Sequence, residues 1–122
     1  MIDVGSIHDL AEGVPAVVRV NDREIGIVCW HGEVFAFKNV CPHQSSSFAG
    51  GHVRWEVVGG ERPGVVELNV DEPVLVCPVH AWTYRLRSGH CAVDPRLRVR
   101  IYSVIVSEGR VLIDIDGKRD AR

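Results

Sequence analysis

Apolar and polar residues alternate with a period of two along most of the chain, which is typical of strands with one buried face. Three hairpins are predicted where two alternating stretches meet, with turns at Asn21–Asp22, at His31–Gly32 and near Glu108–Gly109. A fourth strand pair surrounds the Gly/Pro-rich segment 59–64, and short strands are predicted in PVLVC and WTYRL. No segment sustains a helical period. The pattern therefore predicts an all-β protein, an antiparallel sandwich or barrel.

Length and composition fit one globular domain. The chain has 122 residues, of which 46% are apolar and 25% charged, and its formal net charge is −2. Scattered Lys and Arg residues argue against nucleic-acid binding, and no apolar run approaches the roughly 18 residues of a membrane span. The N-terminus has no secretory pattern, so we expect a cytoplasmic protein. There, four cysteines indicate metal or redox chemistry rather than disulfides.

Two Cys/His pairs with unequal spacing are the main chemical feature of the sequence. Cys41 precedes His43 by two positions, Cys77 precedes His80 by three, and a proline follows each cysteine. Thiolate and imidazole ligands together favour zinc or iron–sulfur chemistry over hard cations. Structural zinc usually uses two similar knuckles, whereas unequal Cys/His pairs suit a cluster of two different irons. A zinc-stabilised interaction module remains the alternative.

These pairs and the segments around them resemble the signature of Rieske iron–sulfur proteins. GEVFAFKNVCPH is similar to the approach to the first loop, and HAWTYRLRSGHCAVDP to the second loop and exit, of soluble bacterial Rieske ferredoxins. The resemblance spans most of residues 14–115. It implies a [2Fe–2S] cluster in which Cys41 and Cys77 bind one iron, while His43 and His80 bind the other. Two neutral imidazoles raise the potential to roughly −150 to +300 mV, against about −400 mV for all-Cys plant-type ferredoxins.

The resemblance also implies how the chain is organised. Residues 1–122 form a single Rieske-like domain, with residues 1–40 and 86–117 as the base. Residues 41–85 form a small cluster-binding subdomain of two loops with an inserted hairpin at 50–73. Compact ferredoxins of the family have a shorter segment between the two Cys/His pairs. We expect the insertion either to cover the cluster region or to select partners.

Several positions depart from the family pattern. Ser46 and Val79 stand where high-potential members carry two disulfide-bonded cysteines, which implies the soluble, low-potential type. Ser45 and Ala81 replace glycines, so the loop path must adjust if either site needs a positive φ. The two remaining cysteines, Cys29 and Cys91, are predicted to be small buried residues.

Two aromatic residues near the second Cys/His pair each have two alternative predicted roles. Many ferredoxins have Phe at the position of Tyr84. Its hydroxyl is predicted either to bond a ligating sulfur and raise the potential, or to belong to an ordinary core residue. Trp82 is predicted either to shield the cluster or to form a platform for a partner. The other four histidines are expected at the surface or in turns, namely His8, His31, His52 and His90.

The predicted function is one-electron transfer without catalysis or a small-molecule substrate. No dinucleotide-binding or phosphate-binding glycine motif is present. The resemblance implies two protein partners, a flavin-dependent reductase and a ring-hydroxylating non-haem iron oxygenase. The alternative within the same fold is a small Rieske-like subunit of a nitrite-reductase-type enzyme.

Overall fold

The structure, a computed structural model, describes residues 1–43, 45–59 and 63–116 of the chain. These residues contain one 3-10 turn (Ile7–Asp9) and no α-helix, which confirms the all-β prediction. Within the described ranges, no helix has the length and apolar character that a membrane crossing requires. The strands are β1 (Ile2–Ser6), β2 (Ala16–Val20), β3 (Arg23–Trp30), β4 (Glu33–Lys38), β5 (His52–Gly59), β6 (Val66–Val76), β7 (Thr83–Arg85), β8 (Ile101–Ser107) and β9 (Arg110–Asp114).

Six strands form an antiparallel sheet in the order β1-β9-β8-β4-β3-β2. The three predicted hairpins all lie in this sheet, and their turns are Asn21–Asp22, His31–Gly32 and Glu108–Gly109. Each turn residue has a positive φ, between 48° and 83°. This is the conformation of type I′ turns, whose twist matches that of the paired strands. The turn chemistry is local, which is why the sequence pattern was sufficient to predict these hairpins.

A second antiparallel sheet has the strand order β5-β6-β7. The prediction of separate strands before and at PVLVC is wrong, because β6 is one continuous strand of 11 residues. A bulge follows Trp55 and leaves residues 70–72 of β6 without partners on β5. Pro73 stands beside this bulge, where a missing N–H is tolerated. The turn between β5 and β6 lies partly outside the described residues.

Strand β1 was not predicted from the sequence. It has five residues, and polar Asp3 and Ser6 together with Gly5 hide its alternation. β1 pairs with β9 at the opposite end of the chain, with a bulge between Asp3 and Gly5. Arg110 donates to both carboxylate oxygens of Asp3 at 3.0 Å. The strand therefore depends on a distant partner that a local pattern does not reveal.

Two hydrophobic clusters fill the interior. The base cluster lies within the six-stranded sheet, and its buried members are Ile25, Ile27, Ala36, Tyr102, Val111, Ile113 and Ile115. The second cluster joins the two sheets and includes Cys41, Cys77 and Tyr84. Its other buried members are Val28, Phe35, Phe37, Phe48, Val53, Leu75, Leu86, Cys91, Val99 and Ile101. The candidate ligand cysteines are thus part of the core.

The side chain of Arg87 connects the second sheet to the first through hydrogen bonds. Its guanidinium donates to both carboxylate oxygens of Glu33, at 2.7 and 2.8 Å, and to the backbone oxygen of Asp71 at 3.1 Å. The hydrogen bonds from Arg87 hold the pKa of Glu33 below its usual value. The exposed half of β6 is therefore fixed relative to the turn between β3 and β4. The division of the chain into a base and a cluster-binding region remains a prediction.

Candidate metal centre

The side chain of Asn39 holds the first Cys/His loop in place. Asn39 is 3% exposed, and its amide nitrogen donates to Ser47 Oγ at 2.9 Å and to Glu24 Oε1 at 3.2 Å. Its amide oxygen accepts from the backbone N–H of Phe48 at 2.8 Å. Sequence reasoning missed this residue. The signal in the sequence is an uncharged polar residue directly after β4, two positions before Cys41.

Backbone hydrogen bonds close both loops. In the first loop, the N–H of Cys41 donates to the oxygen of Ser46 at 2.7 Å. In the second, the N–H of Cys77 donates to the oxygen of Trp82 at 2.9 Å. The loops meet at Gly51, where an added Cβ would lie 2.2 Å from the backbone oxygen of residue 76. Only glycine permits this approach, and sequence reasoning missed that as well.

The two candidate ligand sulfurs are buried, and each has a hydroxyl group beside it. Cys41 and Cys77 are both 1% exposed. Sγ of Cys41 lies 3.2 Å from the hydroxyl oxygen of Tyr84, and Sγ of Cys77 lies 3.7 Å from Oγ of Ser46. The hydroxyl of Tyr84 therefore has a sulfur partner in the core, as one of the two interpretations of that residue predicted.

The two candidate ligand imidazoles lie toward the surface. His43 is half-buried and His80 is exposed, and their ring centroids are 5.5 Å apart. The indole of Trp82 stacks on His43 with a centroid separation of 3.6 Å and an interplanar angle of 16°. One face of the His43 ring is thereby covered. The site thus combines an inner pair of thiols with an outer pair of imidazoles.

The loops keep left-handed backbone conformations without glycine. Ser45 and Ala81, the residues that replace family glycines, have φ values of +55° and +56°, and His80 has +67°. Non-glycine residues at such φ values cost about 1 kcal/mol each relative to extended or helical backbone. The loop path therefore retains the positive φ that a glycine would provide, at a cost in stability.

Burial governs the acidity of the groups around the sulfurs. Burial raises the pKa of the Cys77 thiol, while the Val79 backbone N–H and the Ser46 hydroxyl act in the opposite direction. Burial is also the main cause that raises the pKa of Tyr84, followed by its hydrogen bond with Cys41. The Tyr84 hydroxyl therefore keeps its proton, so it is available as a donor.

The remaining Cys and His side chains lie outside this arrangement. Cys91 is buried as predicted, but Cys29 is only half-buried, so the prediction for Cys29 is wrong. Sγ of Cys29 lies 3.7 Å from a carboxylate oxygen of Glu12, which accounts for its place at the edge of the core. His31 contacts two tryptophan rings. Among the described residues, no three His, Cys, Asp or Glu side chains surround a single metal-ion position.

The donor set fits an iron–sulfur cluster with mixed ligands. Two buried thiols provide soft, anionic ligands in a protected environment, and two imidazoles provide neutral ligands near solvent. The hydroxyl groups beside the sulfurs provide hydrogen-bond partners for sulfur atoms that are buried away from water. The site is thus chemically suited to a cluster whose two irons have different ligands.

Comparisons with known proteins identify the class. A family model described as the Rieske [2Fe-2S] domain matches residues 1–103. The ferredoxin component of the alkene monooxygenase system of Xanthobacter autotrophicus is 28% identical over 92% of this chain and 79% of its own. The ferredoxin of carbazole 1,9a-dioxygenase from Nocardioides aromaticivorans has a TM-score of 0.69 and 25% identity, over 92% of this chain and 94% of its own.

A nitrite reductase subunit has the same fold. A chain described as the small subunit of an NADH-dependent nitrite reductase from Mycobacterium tuberculosis has a TM-score of 0.72 and 24% identity. The match covers 92% of this chain and 91% of that subunit. The similarity extends over nearly the whole length of both chains, so the architecture is common to ferredoxins and reductase subunits.

The fold and the two loops define a small all-β protein of the iron–sulfur class. Because the family model covers most of its length, the chain belongs to the Rieske [2Fe-2S] domain family. Its cofactor is accordingly a Rieske-type [2Fe–2S] cluster, and the resemblance found in the sequence is confirmed. The curated relatives are ferredoxin components of oxygenase systems, which are electron carriers.

Proposed function

We propose that the protein carries single electrons within an oxygenase system, with Cys41 and Cys77 on one iron and His43 and His80 on the other. The observation that carries this proposal is the convergence of two buried thiols and two outer imidazoles from two loops. When bound, the cluster accepts and returns one electron at a potential raised by its neutral imidazole ligands. The protein itself performs no substrate chemistry.

The arrangement of the loops supports a direction for electron exchange. The cysteines lie in the core, whereas His80 is exposed and His43 is half-buried. A partner that docks on the histidine side approaches the outer iron more closely than one that docks elsewhere. Trp82 limits water access to one face of His43. We infer that Trp82 mainly shields the site, which is the first of its two predicted roles.

Metal analysis combined with matched variants tests the ligand assignment. Purified protein should be red-brown and contain iron and acid-labile sulfide in equal amounts, with the EPR signal of mixed Cys/His ligation when reduced. Replacing any of the four proposed ligands by Ala should abolish cluster binding. Cys29 and His31 provide the control, because they have the same Cys-x-His spacing as the first pair. C29A and H31A should retain the cluster, and a colourless protein with one zinc would establish the zinc module instead.

An electron-transfer assay tests the proposed partners. We propose that a flavin-dependent reductase supplies the electron and that a ring-hydroxylating non-haem iron oxygenase receives it. NADH, such a reductase and the loaded protein should reduce the oxygenase, and omission of this protein should abolish the reaction. If electrons pass equally fast without it, or never leave it, the oxygenase role is wrong.

A nitrite-reductase subunit is the second candidate function, supported by the fold shared with the M. tuberculosis subunit. In that case the protein should co-purify in a stable complex with a large reductase subunit. An electron carrier should instead be isolated alone and turn over many times between its partners. Size-exclusion chromatography of the protein from its native cell distinguishes the two.

A further inference from the structure

Ser46 reaches from the first loop to the ligand sulfur of the second. Its Oγ lies 3.7 Å from Sγ of Cys77, whereas Cys41, its neighbour in the first loop, has Tyr84 at 3.2 Å. Each candidate ligand sulfur therefore has its own hydroxyl group. The two hydroxyl groups come from opposite sides, since Tyr84 belongs to the second loop region and Ser46 to the first.

The backbone fixes Ser46 in this position. Its carbonyl oxygen accepts from the N–H of Cys41 at 2.7 Å, and the following two residues are bonded to the buried side chain of Asn39. The Ser46 side chain is half-buried, so its hydroxyl is partly withdrawn from water. For a partly buried hydroxyl, a neighbouring anionic sulfur is a favourable acceptor.

The chemistry of the acceptor sets the direction of the hydrogen bond. A cysteine sulfur bound to iron is a thiolate and has no proton to donate. The Ser46 hydroxyl must therefore be the donor, although the distance alone permits either direction. An added electron increases the negative charge on the cluster and its sulfurs, so a donated hydrogen bond stabilises the reduced form more than the oxidised form.

We propose that Ser46 is a positioning residue that sets the reduction potential through Cys77. It stands at one of the two positions where, as the resemblance to the family implies, high-potential members carry disulfide-bonded cysteines. In this protein the two loops are linked at that position by the hydrogen bond from the Ser46 hydroxyl to Sγ of Cys77. This inference rests on the proposed assignment of Cys77 as an iron ligand.

The test compares midpoint potentials of loaded protein, measured by EPR-monitored redox titration. S46A should shift the reduction equilibrium roughly threefold toward the oxidised form, or about 28 mV at 59 mV per tenfold for one electron. S45A is the matched control, because Ser45 lies in the same loop and is exposed, and its side chain makes no hydrogen bond among the described residues. S45A should retain the wild-type potential.

A second pair of variants separates the hydroxyl from the shape of the side chain. Thr and Val have nearly the same shape, so S46T and S46V perturb the loop alike and differ in the donor. S46T should have a higher potential than S46V, and this comparison carries the test if S46A fails to take up cluster. Equal potentials for S46T and S46V would overturn the proposal, as would an S46A potential equal to that of S45A.

Failure of this inference can be distinguished from failure of the proposed function. If the purified protein contains iron and sulfide and C77A loses them, Cys77 is established as a ligand independently of Ser46. An unchanged S46A potential in that protein rejects only the role of Ser46. Absence of iron and sulfide from the wild-type protein rejects the proposed function itself.

Discussion

Replacing Tyr84 by Phe should lower the reduction potential of the cluster. The Tyr84 hydroxyl is fully buried and lies 3.2 Å from Sγ of Cys41. Hydrogen bonds to charged acceptors contribute about 1.5–3 kcal/mol. If about half of this acts on the reduced form alone, the loss is roughly 1 kcal/mol. At about 1.4 kcal/mol and 59 mV per tenfold for one electron, Y84F should lower the midpoint potential by roughly 40 mV.

The assay is a redox titration of loaded protein followed by EPR, with Y102F as the matched control. Tyr102 is also buried, at 4% exposure, but it belongs to the base cluster away from the cysteines. Y102F removes a hydroxyl from the same residue type and should leave the potential unchanged. If Y84F and Y102F have the same potential when both are fully loaded, the bond between Tyr84 and Cys41 does not tune the cluster.

Three further changes test the loops and the sheet, and one tests an ion pair. N39A should lower the free energy of unfolding by about 2–3 kcal/mol, because the buried backbone N–H of Phe48 loses its acceptor and Ser47 loses a hydrogen-bond donor; chemical denaturation of the apoprotein measures this. G26A should lower the free energy of unfolding by about 1–3 kcal/mol, because the added Cβ would lie 2.2 Å from the ring of Phe37. A melting temperature equal to that of wild type would show that the ring does not pack on Gly26 in this way. A81G should instead raise the free energy of unfolding by roughly 0.5–1 kcal/mol, because φ at this position is +56°, a conformation that glycine adopts without the strain that alanine has. The hydrogen bonds from Arg110 lower the pKa of Asp3 below its usual value of 3.8. Wild type should therefore be more stable than R110A at neutral pH, and this difference should disappear as the pH falls through the lowered pKa of Asp3. NMR titration of Asp3 in both proteins checks this, and equal pKa values would show that the ion pair does not form in solution.

Local patterns predicted much of this fold, and distant contacts explain what they missed. The three type I′ turns follow from residues adjacent in sequence, and the two Cys/His pairs are visible as spacing. The pairing of β1 with β9 and the closure of the loops at Gly51 depend on residues far apart along the chain. The hydroxyl partner of Cys41 is 43 positions away, at Tyr84. The backbone of Ala81 adopts a positive φ that its side chain disfavours, so propensity alone gave no indication of it.

The long strand β6 has two halves with different surroundings. Residues 73–76 are buried and lead directly into the second loop, whereas Val66, Leu68 and Val70 on the outer half are 68%, 53% and 61% exposed. The bulge opposite Trp55 separates these halves. Changes in length or sequence of the outer half therefore need not reach the ligands. This geometry separates the outer half of β6 from the redox chemistry, so residues 66–70 are the natural place to introduce changes in an engineered carrier.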